Sequence, residues 1–255
     1  MERMLVERGV STDFVWVDGE TRLNIILVST DGGGQSTFTS SSLIVPAGEQ
    51  DQLLRRYQAA LQQATCVILG GTLPEGVPLD LYPQMVSLAR EQGIPVILDS
   101  SGPALRAGIE ARPSLVKLNL DELSQLFGFT PQTLGEIYRA ARHLQREFGT
   151  DVILTMGGQE ALALLKDRAY QIPPLPVPIS STAGAGDAVL AGMALAVSRQ
   201  EPLENGLKYG FALAAAVLQT LATADFRVED YQALLPQIDL IPYPENDPRE
   251  PSHRL

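Results

Sequence analysis

Ser180-Ser181-Thr182-Ala183-Gly184-Ala185-Gly186-Asp187, followed at once by the apolar run 188–197, is the stretch around which this chain is organised. Small residues let a backbone turn tightly and approach a ligand without Cβ clashes. The Ala, Val, Leu and Met residues that follow predict a buried helix, apolar on most faces. The loop is then a helix entry, with free backbone N–H groups and the positive end of the helix dipole behind them. Such an entry binds anions, phosphate above all. Asp187 stands inside that anion site. A carboxylate there repels phosphate unless it has another task, such as taking a proton from an attacking hydroxyl. The pattern points to phosphoryl transfer with Asp187 as the base. A lone Gly-x-Gly before a helix is otherwise ordinary, and an Asp in the first turn by itself only complements the dipole. Two other phosphate motifs are excluded. Val189 stands where a dinucleotide fingerprint needs its third glycine, and the chain has no Gly-Lys pair from which to build a P-loop.

The length of 255 residues suits one large α/β domain with an adequate core. A hydrophobic content of 45% with 19% charged residues is that of a folded enzyme rather than a disordered chain. The formal net charge of −11 opposes non-specific binding to nucleic acid or anionic membranes, so a phosphate ligand must be held by local donors. The single cysteine, Cys66, lies in an apolar run and is predicted to be a core residue; one cysteine excludes an intrachain disulfide and a cysteine metal cluster. The two histidines, His143 and His253, do not make a His-rich metal site. No signal peptide is evident and the apolar run 211–221 is too short to span a bilayer, so a cytoplasmic protein is expected.

Residues 2–8 read as a helix end stopped by Gly9. Residues 12–45 read as β-structure: Phe14-Val15-Trp16-Val17, a hairpin turn at Asp18-Gly19, a second strand over 22–28, the loop Asp31-Gly32-Gly33-Gly34, and a third strand over 35–45. From Asp51 the rhythm changes. Helices are expected over 53–63, 79–92, 121–127 and 133–148, and strands over 66–69, 95–98, 115–118 and 152–155. This alternation implies a parallel sheet covered on both faces. A hairpin follows over 161–172 with Lys166-Asp167 at its turn, then a Pro-rich link, the Gly-rich loop, and helices over 188–198 and 203–221. Each short strand runs into a polar or glycine cluster: Gly70-Gly71-Thr72, Asp99-Ser100-Ser101-Gly102, Asn119 with Glu122 a turn on, and Gly157-Gly158. Ligands of open parallel sheets bind beyond the carboxyl ends of the strands, so these clusters and the Gly-rich helix entry are expected to converge on one site.

With Ala191-Gly192 beyond it, Ser181-Thr182-Ala183-Gly184-Ala185-Gly186-Asp187 resembles the C-terminal signature of the PfkB family of carbohydrate kinases, in the ribokinase-like superfamily. The resemblance extends from the Thr12 strand to about Thr223. The phrases Thr12-Asp13-Phe14-Val15-Trp16-Val17, Glu20-Thr21-Arg22-Leu23-Asn24, Asp99-Ser100-Ser101-Gly102 and Lys117-Leu118-Asn119-Leu120-Asp121-Glu122 are similar to its phosphohexose branch. That branch comprises 1-phosphofructokinases, tagatose-6-phosphate kinases and minor 6-phosphofructokinases. The resemblance implies a ribokinase-like three-layer α/β/α fold with a mainly parallel central sheet and a small antiparallel β lid. Residues 1–240 would form the kinase domain with 12–45 as the inserted lid, and 241–255 a flexible tail.

The resemblance also implies roles. Asp187 would be the base, and Gly184, Ala185 and Gly186 would offer N–H groups to the transferring phosphoryl group. Arg22, Asn24 and Ser101 would bind the phosphosugar, Arg22 and Ser101 at its phosphate; a guanidinium grips phosphate with paired hydrogen bonds. Lys117, Asn119, Thr155, Gly157, Thr182 and Gly184 would line the ATP site. Asn119 and Glu122 would organise magnesium through water, since this ion keeps several waters and few protein ligands. The reaction implied is ATP-dependent phosphorylation of a ketohexose phosphate. Fructose 1-phosphate is favoured, with tagatose 6-phosphate or fructose 6-phosphate as alternatives, by a homodimer joined through the β lid. Departures are Leu118 where the family has proline, Glu160 where it has glycine, and Ala183-Gly184 where Val/Thr-Gly is common. The family's N-terminal strand and helix, with a Gly-Gly-Lys/Gly-x-Asn sugar-binding element, have no counterpart in this sequence. The expectation is a truncated chain, a misassigned start or a shortened paralogue, with a ligand-binding relic as the non-catalytic alternative.

Overall fold

A computed structural model describes residues 2–28, 35–40 and 43–244. The chain opens with a helix, Glu2–Glu7 (α1), closed at Gly9, whose φ is +78°. A two-stranded antiparallel lid follows, Asn24–Val28 (β1) and Gln35–Thr39 (β2), with Ile25 opposite Phe38. The α/β body is built from Ala47–Leu61 (α2), Val67–Gly70 (β3), Leu81–Glu91 (α3), Val96–Asp99 (β4), Gly102–Glu110 (α4), Leu115–Asn119 (β5), Leu120–Phe127 (α5), Leu134–Phe148 (α6) and Asp151–Thr155 (β6). The hairpin Ala161–Leu165 (β7) and Arg168–Ile172 (β8) comes next. Ala185–Ser198 (α7), Leu203–Leu218 (α8), Val228–Leu234 (α9) and Ile241–Pro242 (β9) complete it. The sheet has seven strands in the order β3-β4-β5-β6-β7-β8-β9. Its first four strands are parallel and the rest are added antiparallel, giving the three-layer α/β/α architecture expected.

Period-two alternation builds two cores on the two faces of the sheet. Val96, Leu98, Val116, Leu118, Val152 and Leu154 face the layer of α3 to α6. Ile97, Leu115, Ile153, Ala163 and Leu165 face α7, α8 and α9. Lys117 falls between Val116 and Leu118, so the alternation turns it toward α7, where it is 6% exposed. The helices α7 and α8 pack so closely that a Cβ on Gly192 would meet the Gly210 amide nitrogen at 2.1 Å. Helix starts follow local chemistry. Asn119 with Glu122, and Thr133 with Glu136, form reciprocal capping boxes at α5 and α6.

The structure corrects the reading in several places. Residues 14–17 form no strand. Turn chemistry at Asp18-Gly19 is local, and Gly19 does take φ +113°, but a strand needs a partner ladder. Here the Phe14 carbonyl accepts instead from Arg56 of α2 (2.9 Å), which also pairs with Asp13. The third lid strand ends at Thr39, and Ile44 bridges singly to Glu75 on the body. Helix α4 starts where the sequence shows the polar cluster 99–102 and no helix is expected; Pro in the first helical turn behind Ser101 is its start signal. Nor was α9. The segment after 240 begins as β9 on the sheet, with the Tyr243 amide donating to the Ala169 carbonyl (2.8 Å), rather than as a loose tail. The expected loop at 31–34 and the tail from 245 lie outside the described residues.

Candidate active site

The carboxyl ends of β4, β5 and β6 and the start of α7 meet at one edge of the sheet. Asp99 closes β4 and Lys117 lies inside β5. Lys117 Nζ donates to Asp99 Oδ2 at 2.8 Å, an ion pair with side chains only 7% and 20% exposed. The pair lies against α7. A Cβ built on Gly186 would sit 3.1 Å from Lys117 Cε and 3.3 Å from Nζ. A side chain at this position would crowd the ammonium at the helix entry.

The entry itself is built as its composition suggests. Gly184 is the N-cap of α7 with φ +89°, and a Cβ there would lie 2.6 Å from the Ala224 nitrogen. The loop after α8 thus closes over the turn, and the Ala224 amide donates to the Ala183 carbonyl (3.3 Å). Buried Ser181 accepts the Ala183 amide through Oγ (3.2 Å), and the Ala185 amide donates to the Thr182 carbonyl (3.3 Å). The Ala185 amide, which the resemblance would aim at phosphate beside those of Gly184 and Gly186, is thus engaged within the turn; the amides of Gly186 and Asp187 are the next two, ahead of the helix's own ladder. Asp187 follows on the solvent side. Its carboxyl is held above the ordinary value, first by desolvation and then by Asp99, with Lys117 pulling the other way.

Asn119 and Glu122 hold each other. The Asn119 amide donates to Glu122 Oε2 and the Glu122 amide to Asn119 Oδ1, both at 2.8 Å. Glu122 is raised by desolvation above all. The Asn119 amide and Lys117 oppose this, while Asp99 and Asp121 add to it. Thr155 lies beside Asn119 in the ladder and donates to the Leu118 carbonyl (3.4 Å). Gly157 beyond it takes φ +64° and has no atom within 4 Å of where its Cβ would be. Glu160, where the family resemblance leads one to expect glycine, is engaged by Gln171 of β8. Ser101 caps the start of α4 in position, without a side-chain hydrogen bond to the helix.

Other residues complete the edge without having been assigned a role from sequence. The Tyr82 hydroxyl donates to the Gly70 carbonyl (2.9 Å) and is 3.0 Å from that of Gly71. Buried Ser100 donates to the Gly71 carbonyl (3.0 Å), and the Gly71 amide to Asp99 O (3.0 Å). Asp99, at a strand end in a polar cluster, carried a visible signal; Ala224, in a stretch of small residues, carried none. Asp99, Lys117, Asn119, Glu122, Thr155 and the 182–187 turn come together on the body. Arg22 and Asn24 stand on the lid, and no hydrogen bond or ion pair joins them to those residues among the described ones. Among the described residues, no three His, Cys, Asp or Glu form a cage for a metal ion, and no helix is long and apolar enough to cross a membrane.

Residues 1–230 match the pfkB family of carbohydrate kinases. The chain belongs to that family. It is 29% identical over 240 residues to the 1-phosphofructokinase of Bacillus subtilis (strain 168), covering 93% of this chain and 77% of that protein. Phosphofructokinase-2 from Escherichia coli, solved with potassium, superposes with a TM-score of 0.84 at 28% identity, over 92% of this chain and 77% of that one. That enzyme has also been solved as a tetrameric inhibited form and with fructose-6-phosphate. A possible 1-phosphofructokinase from Thermotoga maritima shares the fold with a TM-score of 0.84 at 24% identity, over 95% of this chain and 79% of that one. As a pfkB carbohydrate kinase, the chain is a phosphotransferase with an alcohol acceptor.

Proposed function

We propose that this pfkB kinase transfers the γ-phosphoryl group of ATP to a hydroxyl of fructose 1-phosphate, giving fructose 1,6-bisphosphate and ADP. The observation that carries the reading is the placement of Asp187 at the mouth of the Gly184–Gly186 turn with Lys117 behind it. Asp187 takes the proton as the sugar oxygen bonds to phosphorus and the bond to the bridging β,γ-oxygen breaks. Negative charge spreading over the equatorial oxygens meets the Gly186 and Asp187 amides, the α7 dipole and the Lys117 ammonium. Asp187 is a modest base, and it serves because positioning supplies most of the rate.

The donor set suits magnesium. Glu122 uses Oε2 for the cap, and Oε1 takes no protein hydrogen bond among the described residues. An ion that retains most of its waters needs no closed cage. Glu122 would hold it, Asn119 would fix Glu122, and the ion would supply charge neutralisation at the nucleotide phosphates. Thr155, Gly157, Thr182 and Asn119 would line the nucleotide, and Arg22, Asn24 and Ser101 the phosphosugar.

Fructose 6-phosphate is the second reading, favoured by the similarity to Escherichia coli phosphofructokinase-2, crystallised with that sugar. ADP release is measured with ATP, magnesium and, in turn, fructose 1-phosphate, fructose 6-phosphate and tagatose 6-phosphate. Turnover on fructose 1-phosphate at the highest kcat/KM is the expected result. Preference for another of the three replaces the sugar. No turnover by a folded chain that still binds ATP leaves a ligand-binding relic.

The lid carries its own expectation. Leu23, Ile25 and Leu27 alternate onto one face with Phe38 opposite Ile25, and all four are more than half exposed. Such a strip is an association surface. A second copy of the chain is proposed to cover it. Ile25→Lys with Phe38→Lys is expected to convert a dimer at micromolar concentration to a monomer in sedimentation velocity. A monomeric parent chain refutes the lid dimer.

A further inference from the structure

We propose that Asp99 is a positioning residue of this site: it holds the Lys117 ammonium against the α-carbon of Gly186, so that a buried positive charge backs the helix entry. The chemistry rests on the kinase reading above; the geometry does not. Lys117 is turned toward α7 by strand alternation, and its ammonium is almost wholly removed from solvent. A charge so placed needs a counter-charge, and Asp99 Oδ2 at 2.8 Å is its hydrogen-bond partner. Asp99 is itself well anchored. Gly70 pairs with it in the β3–β4 ladder, and its carbonyl accepts the Gly71 amide at 3.0 Å.

The location is electrostatically unfavourable for a lysine standing alone. Cations are favoured at the C-terminus of a helix and opposed at the N-terminus. This ammonium lies against the second position of α7, where a Cβ on Gly186 would press on it at 3.3 Å. Without Asp99 the dipole would repel it toward solvent. With Asp99 it stays, and an incoming phosphoryl group meets ammonium and dipole together. Asp99 thus acts through Lys117 and has no need to touch the substrate. Its charge also reaches Asp187 and Glu122, where it opposes ionisation while Lys117 favours it.

The test needs a readout independent of turnover. The chain is labelled at its aspartate carboxyl carbons, the Asp187 resonance is assigned by its loss in Asp187→Asn, and its titration midpoint is followed by NMR. Lys117→Met is expected to raise that midpoint, since the ammonium favours the ionised form. Asp99→Asn releases the ammonium along with its own charge, so its midpoint is expected to coincide with that of the double variant. The double variant also removes both buried charges, so it keeps the test alive if a single variant fails to fold. In the assay with the preferred sugar, Asp99→Asn is expected to lower kcat on the order of 100-fold, the scale of a misplaced catalytic group, with the sugar KM little changed. An Asp99→Asn midpoint well below that of the double variant, which would show the ammonium staying in place without Asp99, or parental kcat in Asp99→Asn, overturns the proposal. Coincident midpoints in Asp99→Asn and the double variant, without phosphotransfer to any of the three sugars, support the positioning and remove only the kinase reading.

Discussion

Asp187→Asn is expected to lower kcat by about 10²- to 10⁴-fold, the range supplied by a positioned general base. The substitution keeps the size and shape of the side chain and removes the proton acceptor. It also removes a negative charge beside the phosphates, so affinity for ATP should hold or improve while turnover collapses. The split between KM and kcat separates this outcome from a damaged fold. Stability gives a second check. The Asp187 carboxyl is raised in the folded chain. A raised acid stabilises the fold fully below its unfolded value, near 3.9, and that contribution is lost as pH rises through the folded value. At neutral pH the native chain therefore carries the cost of an ionised, partly desolvated carboxylate, and the asparagine variant should melt no lower than the parent. Activity has the opposite sign. The base must be ionised, so kcat should fall on acidification through a midpoint above the ordinary aspartate value. A variant with parental kcat would end the assignment of Asp187 as base.

Gly184→Ala is the second large effect. Gly184 has φ +89°, a conformation that costs a residue with a Cβ of order 1–3 kcal/mol. The new Cβ would also sit 2.6 Å from the Ala224 nitrogen and 2.7 Å from its Cα. That neighbour is backbone, and its loop is tied by Thr220 Oγ1, which donates to the Asp225 carbonyl (2.8 Å) and lies 3.2 Å from that of Ala222. Neither side yields easily. A loss of about 3 kcal/mol in urea unfolding is expected from strain and overpacking together. Because the turn sets where the Gly186 and Asp187 amides point, kcat/KM should fall by about 100-fold as well. Parental stability with parental kinetics would show that the turn tolerates a side chain and that Ala224 does not hold it.

Much of the body was legible in the sequence. The β4, β5 and β6 strands, the β7–β8 hairpin and the helices α3, α5, α6, α7 and α8 were read from apolar periodicity and punctuation, with boundaries a few residues off. The turn at Gly184 was legible because small residues before an apolar run mark a tight entry to a buried helix. What escaped was non-local. The strand expected at 14–17 failed because Arg56, far along the chain, takes the Phe14 carbonyl. The β9 strand was missed because two residues carry no periodicity, and the free edge of β8 makes them a strand.

The sequence by itself determined the α/β alternation, the helix entry at Gly184 and the carboxylate in its first turn. Turn chemistry and side-chain period act over a few residues and need no partner. The tertiary structure alone decided that Lys117 reaches Gly186, that Asp99 holds it there, and that Ala224 closes over Gly184. Each is a close approach between segments distant in sequence. The physical reason is the same in all three. An ion pair, or a contact that excludes a Cβ, depends on a separation of a few ångströms, and only the packed sheet and helices set that distance.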